Sequence, residues 1–195
     1  MSTRGAFGVK LNNKLFMSYN HGDSYPSGLG QEMVDFCKSL SNEKIELLKN
    51  GFNNIKIIDP NVKPTKEEQE KYIEAGFYNS GVSKCSPDDW YCLLRDLQGI
   101  SFLKEVISGR CGHLKNSDIF LKDSLFCEYA YIIDLDKCML EFYEGFRKEP
   151  DSNSPLPFKQ VPDGDGYYPV KFMGKAEINN IPEDWIKVYY PEDDD

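Results

Sequence analysis

Leu125-Phe126-Cys127-Glu128-Tyr129-Ala130-Tyr131-Ile132-Ile133-Asp134-Leu135 is the stretch on which the fold turns. In an extended chain alternate side chains share a face. Leu125, Cys127, Tyr129, Tyr131, Ile133 and Leu135 then form one apolar face. Phe126, Ala130 and Ile132 make the opposite face apolar too, interrupted by Glu128 and Asp134. A strand apolar on both sides belongs inside a sheet, with helices covering at least one side. Asp134 to Lys137 reads as a turn into a partner strand carrying Cys138, Leu140 and Phe142.

Working outward, the N-terminal segment reads as a β-hairpin. Phe7 and Val9 alternate with Ala6, Gly8 and Lys10, and Leu15, Met17 and Tyr19 alternate with Phe16 and Ser18. Asn12-Asn13 between them tolerates the positive φ angles of a tight hairpin turn. The middle of the chain has helical spacing instead. Met33, Val34, Phe36, Cys37 and Leu40 form one apolar face. Ser41 caps a second helix that Asn50-Gly51 is expected to stop, and Phe52 to Asp59 reads as a short strand. Thr65-Lys66-Glu67-Glu68 is a capping box opening a polar helix that ends near Gly76. Trp90, Leu93, Leu94 and Leu97 form a further helical stripe, which Gly99 breaks before another short helix over Phe102 to Ile107. Residues 150–166, with four prolines, read as a surface loop. A last strand spans Tyr167 to Ala176, and Ile181 to Trp185 reads as a terminal helix with Trp185 docked on the core. Strands, then helices, then strands imply an α+β domain over residues 1–190. Its antiparallel sheet is built from the N-terminal hairpin and the C-terminal strands, and the helices of the middle pack on one face. Residues 191–195 form an acidic mobile tail.

Charge bounds the partners. The 195 residues carry 23 Lys plus Arg against 32 Asp plus Glu, a net charge of -9. Four of the acids are Glu192 to Asp195; without them 28 acids face 23 bases, a net of -5. Nucleic-acid binders display basic patches, so direct DNA or RNA binding is not expected. A protein partner with a basic surface fits this charge better. No run of 18 apolar residues is present, and Met1 to Gly5 lacks the apolar stretch of a secretory signal, so neither a membrane span nor export is expected. The six cysteines contain no Cys-x-x-Cys pair, and His21 and His113 are the only histidines. No zinc site follows from that spacing, and no cofactor motif is present. Reduced thiols in the cytoplasm of a bacterial host are the consistent expectation.

Chemistry concentrates at His21-Gly22-Asp23-Ser24-Tyr25-Pro26, a loop after a strand. His21 has the reactivity of a general base, with Asp23 to orient it. The plainer reading makes Asp23 a cap bonded to the amides near Gly28 to Gln31, leaving His21 and Tyr25 exposed as a binding surface. Left free, those amides would instead face an anion. A second candidate is Ser2, which becomes an N-terminal nucleophile once Met1 is removed, with Arg4 to hold a substrate carboxylate. Cys111 is the one thiol flanked by loop residues. Asp134/Asp136 and Asp163/Asp165 are carboxylate pairs that turn geometry explains without a metal. Tyr167-Tyr168 and Tyr189-Tyr190 read equally as partner anchors or as packing residues.

Thr3-Arg4-Gly5, the run Tyr19 to Pro26 followed by Gly28-Leu29-Gly30, and Glu128-Tyr129-Ala130-Tyr131 together resemble a loose group of uncharacterised phage and bacterial proteins. Those often start Met-Ala-Thr-Arg and carry His-Trp-Asp-Gly-Tyr-Pro before a glycine and a helix. The segments Asp89 to Gly99 and Asp123 to Glu128 are similar to a longer branch of that group. Gly22 and Ser24 depart from it, and its Met-Ala start does not carry the Ser2 nucleophile over. The resemblance implies a mobile-element setting and no established activity. Together with the charge, it points to a non-catalytic cytoplasmic binding protein of phage origin that occupies a host or defence protein. The alternative is a hydrolase using Ser2. A small ligand remains compatible with either reading.

Overall fold

The computed structural model describes residues 3–81 and 86–191. Strands β1 (Gly5–Leu11) and β2 (Lys14–Asn20) form the hairpin, and its turn holds Asn12 at φ 51° and Asn13 at φ 59°. The left-handed pair twists the two strands the way a sheet requires, and that is why asparagine stands there. Helices α1 (Gln31–Lys38) and α2 (Asn42–Asn54) follow, then a short strand β3 (Lys56–Ile57) and helix α3 (Lys66–Glu74). Helices α4 (Trp90–Leu94) and α5 (Gly99–Ile107) lead to β4 (His113–Leu114), which pairs with β3 in a separate parallel ladder. The chain then adds β5 (Tyr129–Asp134), β6 (Met139–Glu144), β7 (Lys171–Glu177) and helix α6 (Trp185–Tyr189).

The main sheet has the order β2-β1-β5-β6-β7, so hairpin and C-terminal strands share one sheet. Three of its pairings are antiparallel, but β1 and β5 run parallel, with Phe7 opposite Tyr131. A parallel pair needs a long crossover, and the helical middle of the chain supplies it. Phe7, Val9, Tyr131, Ile133, Leu140 and Phe142 face the helices, where they pack with residues such as Val34, Leu48, Leu103 and Trp185. Ala6, Met17, Ala130, Ile132 and Tyr143 face the other way and are covered by Leu121, Leu156 and Val170, none of them in an α-helix. The α-helices therefore pack on one face, and a 3-10 turn at Asp118–Lys122 supplies Leu121 to the other.

Several boundaries differ from the sequence reading. The strand expected from Leu125 begins at Tyr129, because Phe126 and Cys127 both donate to the Asp123 carbonyl in a turn. Helix α2 does not stop at Gly51 but runs through it to Asn54. A Cβ on Gly51 would lie 2.5 Å from Val106 Cγ1, so this glycine lets α2 approach α5 closely rather than ending the helix. The strand expected over 52–59 shrinks accordingly to two residues. Both expected caps are present: Ser41 Oγ accepts from Lys44 N, and Thr65 and Glu68 form a complete capping box. No helix of the described residues is long and apolar enough to cross a membrane. The tail residues 192–195 lie outside the described residues.

Candidate functional site

The loop after β2 is built from its buried members. Asn20 Nδ2 donates to Ser24 Oγ (2.8 Å) and to the Gly22 carbonyl (2.5 Å). Ser24 is fully buried; its amide donates to the Thr3 carbonyl and its own carbonyl accepts from Tyr131 Oη. His21, Asp23 and Tyr25 are exposed. The side-chain cap expected of Asp23 is not formed. Its carboxylate has no hydrogen bond among the described residues, whereas its main-chain oxygen accepts from Leu29 N at 2.9 Å, with Asp23 at φ 53°. The Gly28 and Gly30 amides go to the Tyr25 carbonyl, and the Gln31 amide to the Gly28 carbonyl. All four amides from Gly28 to Gln31 are thus used internally, which removes the anion site considered there. His21 meets Tyr19 Oη through Nδ1 (3.3 Å), and its amide donates to Gln98 Oε1 (3.2 Å).

Tyr19 and Gln98 belong to a cleft of about 290 Å³ that opens beside the edge of β2. Strand β2 contributes Ser18 and Tyr19; helix α4 and the residues after it contribute Trp90, Tyr91, Leu94 and Arg95; the segment from β4 onward adds His113, Lys115, Ser117 and Phe120. That last segment also closes the open edge of β2. Asn116 Oδ1 accepts from Met17 N (2.8 Å), and Ser117 N donates to the Met17 carbonyl (2.8 Å). A covered edge cannot template pairing with another chain. Trp90 is pinned by Nε1 donating to the Val62 carbonyl, and its ring lies 4.6 Å from that of His113.

His113 is part of a closed network. Its Nε2 lies 3.0 Å from Glu68 Oε1 and its Nδ1 2.9 Å from Tyr72 Oη, while Tyr72 Oη accepts from Gly112 N at 3.1 Å. Burial lowers the His113 pKa more than the Glu68 carboxylate raises it. The ring is therefore neutral at pH 7, and the network assigns its proton to Nε2, facing Glu68. Glu68 is held below the usual carboxylate range: burial pushes it up, but hydrogen bonds from Thr65 and the presence of His113 outweigh that. With both ring nitrogens occupied, His113 positions Trp90 and has no free lone pair for proton transfer.

The other candidates separate. Arg4 N donates to Glu128 Oε1 and its guanidinium lies 4.6 Å over the Phe126 ring. Gly5 and Asn20 are partners in the hairpin, so Arg4 and His21 leave the sheet at the same end. Ser2 lies outside the described residues. Cys111 is buried, its thiol pushed up by desolvation and donating to the His113 carbonyl. Cys92 is disulfide-bonded, against the expectation of reduced thiols throughout. Asp163 Oδ1 accepts from the Asp165 and Tyr167 amides, and Asp134 Oδ1 from Lys137 N, so both carboxylate pairs serve turns. Tyr189 stacks on Phe142 with centroids 4.4 Å apart, a packing role. Sequence reasoning missed the cleft. Trp90 and Leu94 read only as members of an apolar helical stripe, and nothing local marks Arg95, His113 and Lys115 as their neighbours.

Comparison with family models, with curated proteins and with solved structures finds no match to this chain.

Proposed function

We propose that this chain is a non-catalytic binding protein of phage or related mobile-element origin, acting in the bacterial cytoplasm by occupying a host or defence protein. One observation carries the reading. The loop after β2 fixes its backbone with buried Asn20 and Ser24 and leaves His21 and Tyr25 exposed on that rigid support. A preorganised loop with an exposed aromatic residue suits an interface, because little side-chain freedom is left to lose on association. The net charge of -9 favours a partner with a basic surface over nucleic acid. The mobile-element setting rests on the sequence resemblance alone.

The test is affinity capture from bacterial lysates, comparing the wild-type chain with a His21→Ala, Tyr25→Ala double variant of unchanged melting temperature. A specific partner should be recovered about tenfold less by the double variant, as loss of an interface anchor implies. Raising the salt should weaken capture as well. Equal recovery by a folded double variant would overturn the assignment of the surface.

A further inference from the structure

We infer that the cleft beside β2 is a binding site for a small planar aromatic anion. The surface reading above does not depend on it. Three observations converge.

The first is shape and lining. The cleft of about 290 Å³ has Tyr19, Trp90, Tyr91 and Phe120 among its walls. That volume suits a body of two or three fused rings, at the small end of ligand pockets, and such walls offer flat aromatic faces.

The second is charge. Asp and Glu make up 32 of 195 residues, about one in six, yet none of the fourteen residues lining the cleft is acidic, while Arg95 and Lys115 are basic. In a chain of net charge -9 this is a locally inverted patch. Charge of one sign focused in a concave site raises the local concentration of the opposite sign.

The third separates used from unused polar groups. Gln98 is consumed by the His21 amide and the Arg95 carbonyl, His113 by Glu68 and Tyr72, and Ser117 by the Lys115 carbonyl. Arg95 spends one Nη1 donor on Tyr91 Oη (2.5 Å), and its guanidinium stays 5.2 Å over that ring. The remaining Arg95 N–H groups, the Lys115 ammonium and the Ser18 hydroxyl have no partner among the described residues. A guanidinium held in place by an aromatic neighbour is preorganised to take a carboxylate. The unused donors therefore call for an anionic group, and the walls call for an aromatic body attached to it.

Isothermal titration with 2-naphthoate, neutral 2-naphthamide and cationic 2-naphthylmethylamine tests this on the full chain. The carboxylate should bind at least about tenfold more tightly than either isostere, the effect of one charge-assisted contact. An Arg95→Gln, Lys115→Gln double variant should lose that preference at an unchanged melting temperature. Leu94→Trp, which fills the cleft, should abolish binding of every probe. No binding of naphthoate to folded wild type at about 1 mM, where even weak fragments register, overturns the proposal. Equal affinity for the amide, or a preference that survives the double variant, overturns it equally.

Discussion

His113 shows how far a residue's role depends on partners that are remote in sequence. Glu68 and Tyr72 stand 45 and 41 residues before it, so no local pattern announces the network. The sequence marks His113 only as one of two histidines, two residues after the loop-flanked Cys111, and burial decides its character. The pH dependence follows with a definite sign. The folded pKa of His113 is depressed, chiefly by burial and further by the charges of Lys56 and Lys71, against about 6.5 in the unfolded chain. On acidification the unfolded state takes up the proton first, so this contribution is complete above about pH 6.5 and is lost as pH falls toward the folded pKa. Glu68 is also depressed, so its contribution disappears at lower pH, below the usual Glu value. Thermal unfolding should therefore show the melting temperature falling between about pH 7 and pH 5. His113→Gln should lower the stability throughout by roughly 1–3 kcal/mol of lost hydrogen bonding and flatten this part of the curve. An equally steep fall in the variant would remove His113 as the cause.

At the scale of elements, what could be read in the sequence was what is settled locally. The Asn12-Asn13 turn and the caps at Ser41 and Thr65 involve residues within a few positions of each other, and all three formed as expected. The main-sheet strands were also legible, since alternation is a property of a single segment. The parallel pairing of β1 with β5 was not, because it depends on how the chain returns after the helices. Gly51 is the instructive error. Read locally, glycine after asparagine ends a helix; in the structure it sits inside α2 against Val106 of α5. This makes an element-scale prediction. On propensity alone Gly51→Ala should stabilise a helix interior by about 1 kcal/mol. With Val106 Cγ1 at 2.5 Å from the new methyl, it should instead destabilise by roughly 1–3 kcal/mol, the usual cost of overpacking. Adding Val106→Ala should recover part of that loss, so that the double variant is more stable than the sum of the single changes. Additive losses in denaturant unfolding would mean that α2 and α5 do not meet in this way.

For the molecule as a whole, the two faces of the sheet are held by different means, and they should differ in stability. The helical face joins β1, β5 and β6 to α1, α2, α5 and Trp185 through one large buried cluster. The opposite face rests on a smaller cluster whose covers, Leu156 and Val170, come from the long connection between β6 and β7. Within residues 150–168 only the amides of Ser154, Val161, Asp163, Gly166 and Tyr168 donate to main-chain carbonyls of the described residues, while others such as Asn153, Asp165 and Tyr167 donate to side chains of the same loop. Few buried apolar contacts and few main-chain hydrogen bonds are the conditions under which a segment opens without the rest. Amides of β1, β5 and β6, each strand flanked by two neighbours, should exchange only through global unfolding. Those of residues 150–168 should exchange at least about a hundredfold faster, as local opening allows. Strand β2 lies at an edge, yet Met17 N is bonded to Asn116 Oδ1, so this amide should be slow in the wild type and fast in Asn116→Ala. Hydrogen exchange read by mass spectrometry, with NMR for Met17, checks each part. Protection of residues 150–168 equal to that of β5 would mean that the loop folds and unfolds with the sheet, contradicting this ordering. Since the cleft borders β2 and the segment that closes its edge, the Met17 result also reports whether the wall of the proposed ligand site is fixed before anything binds.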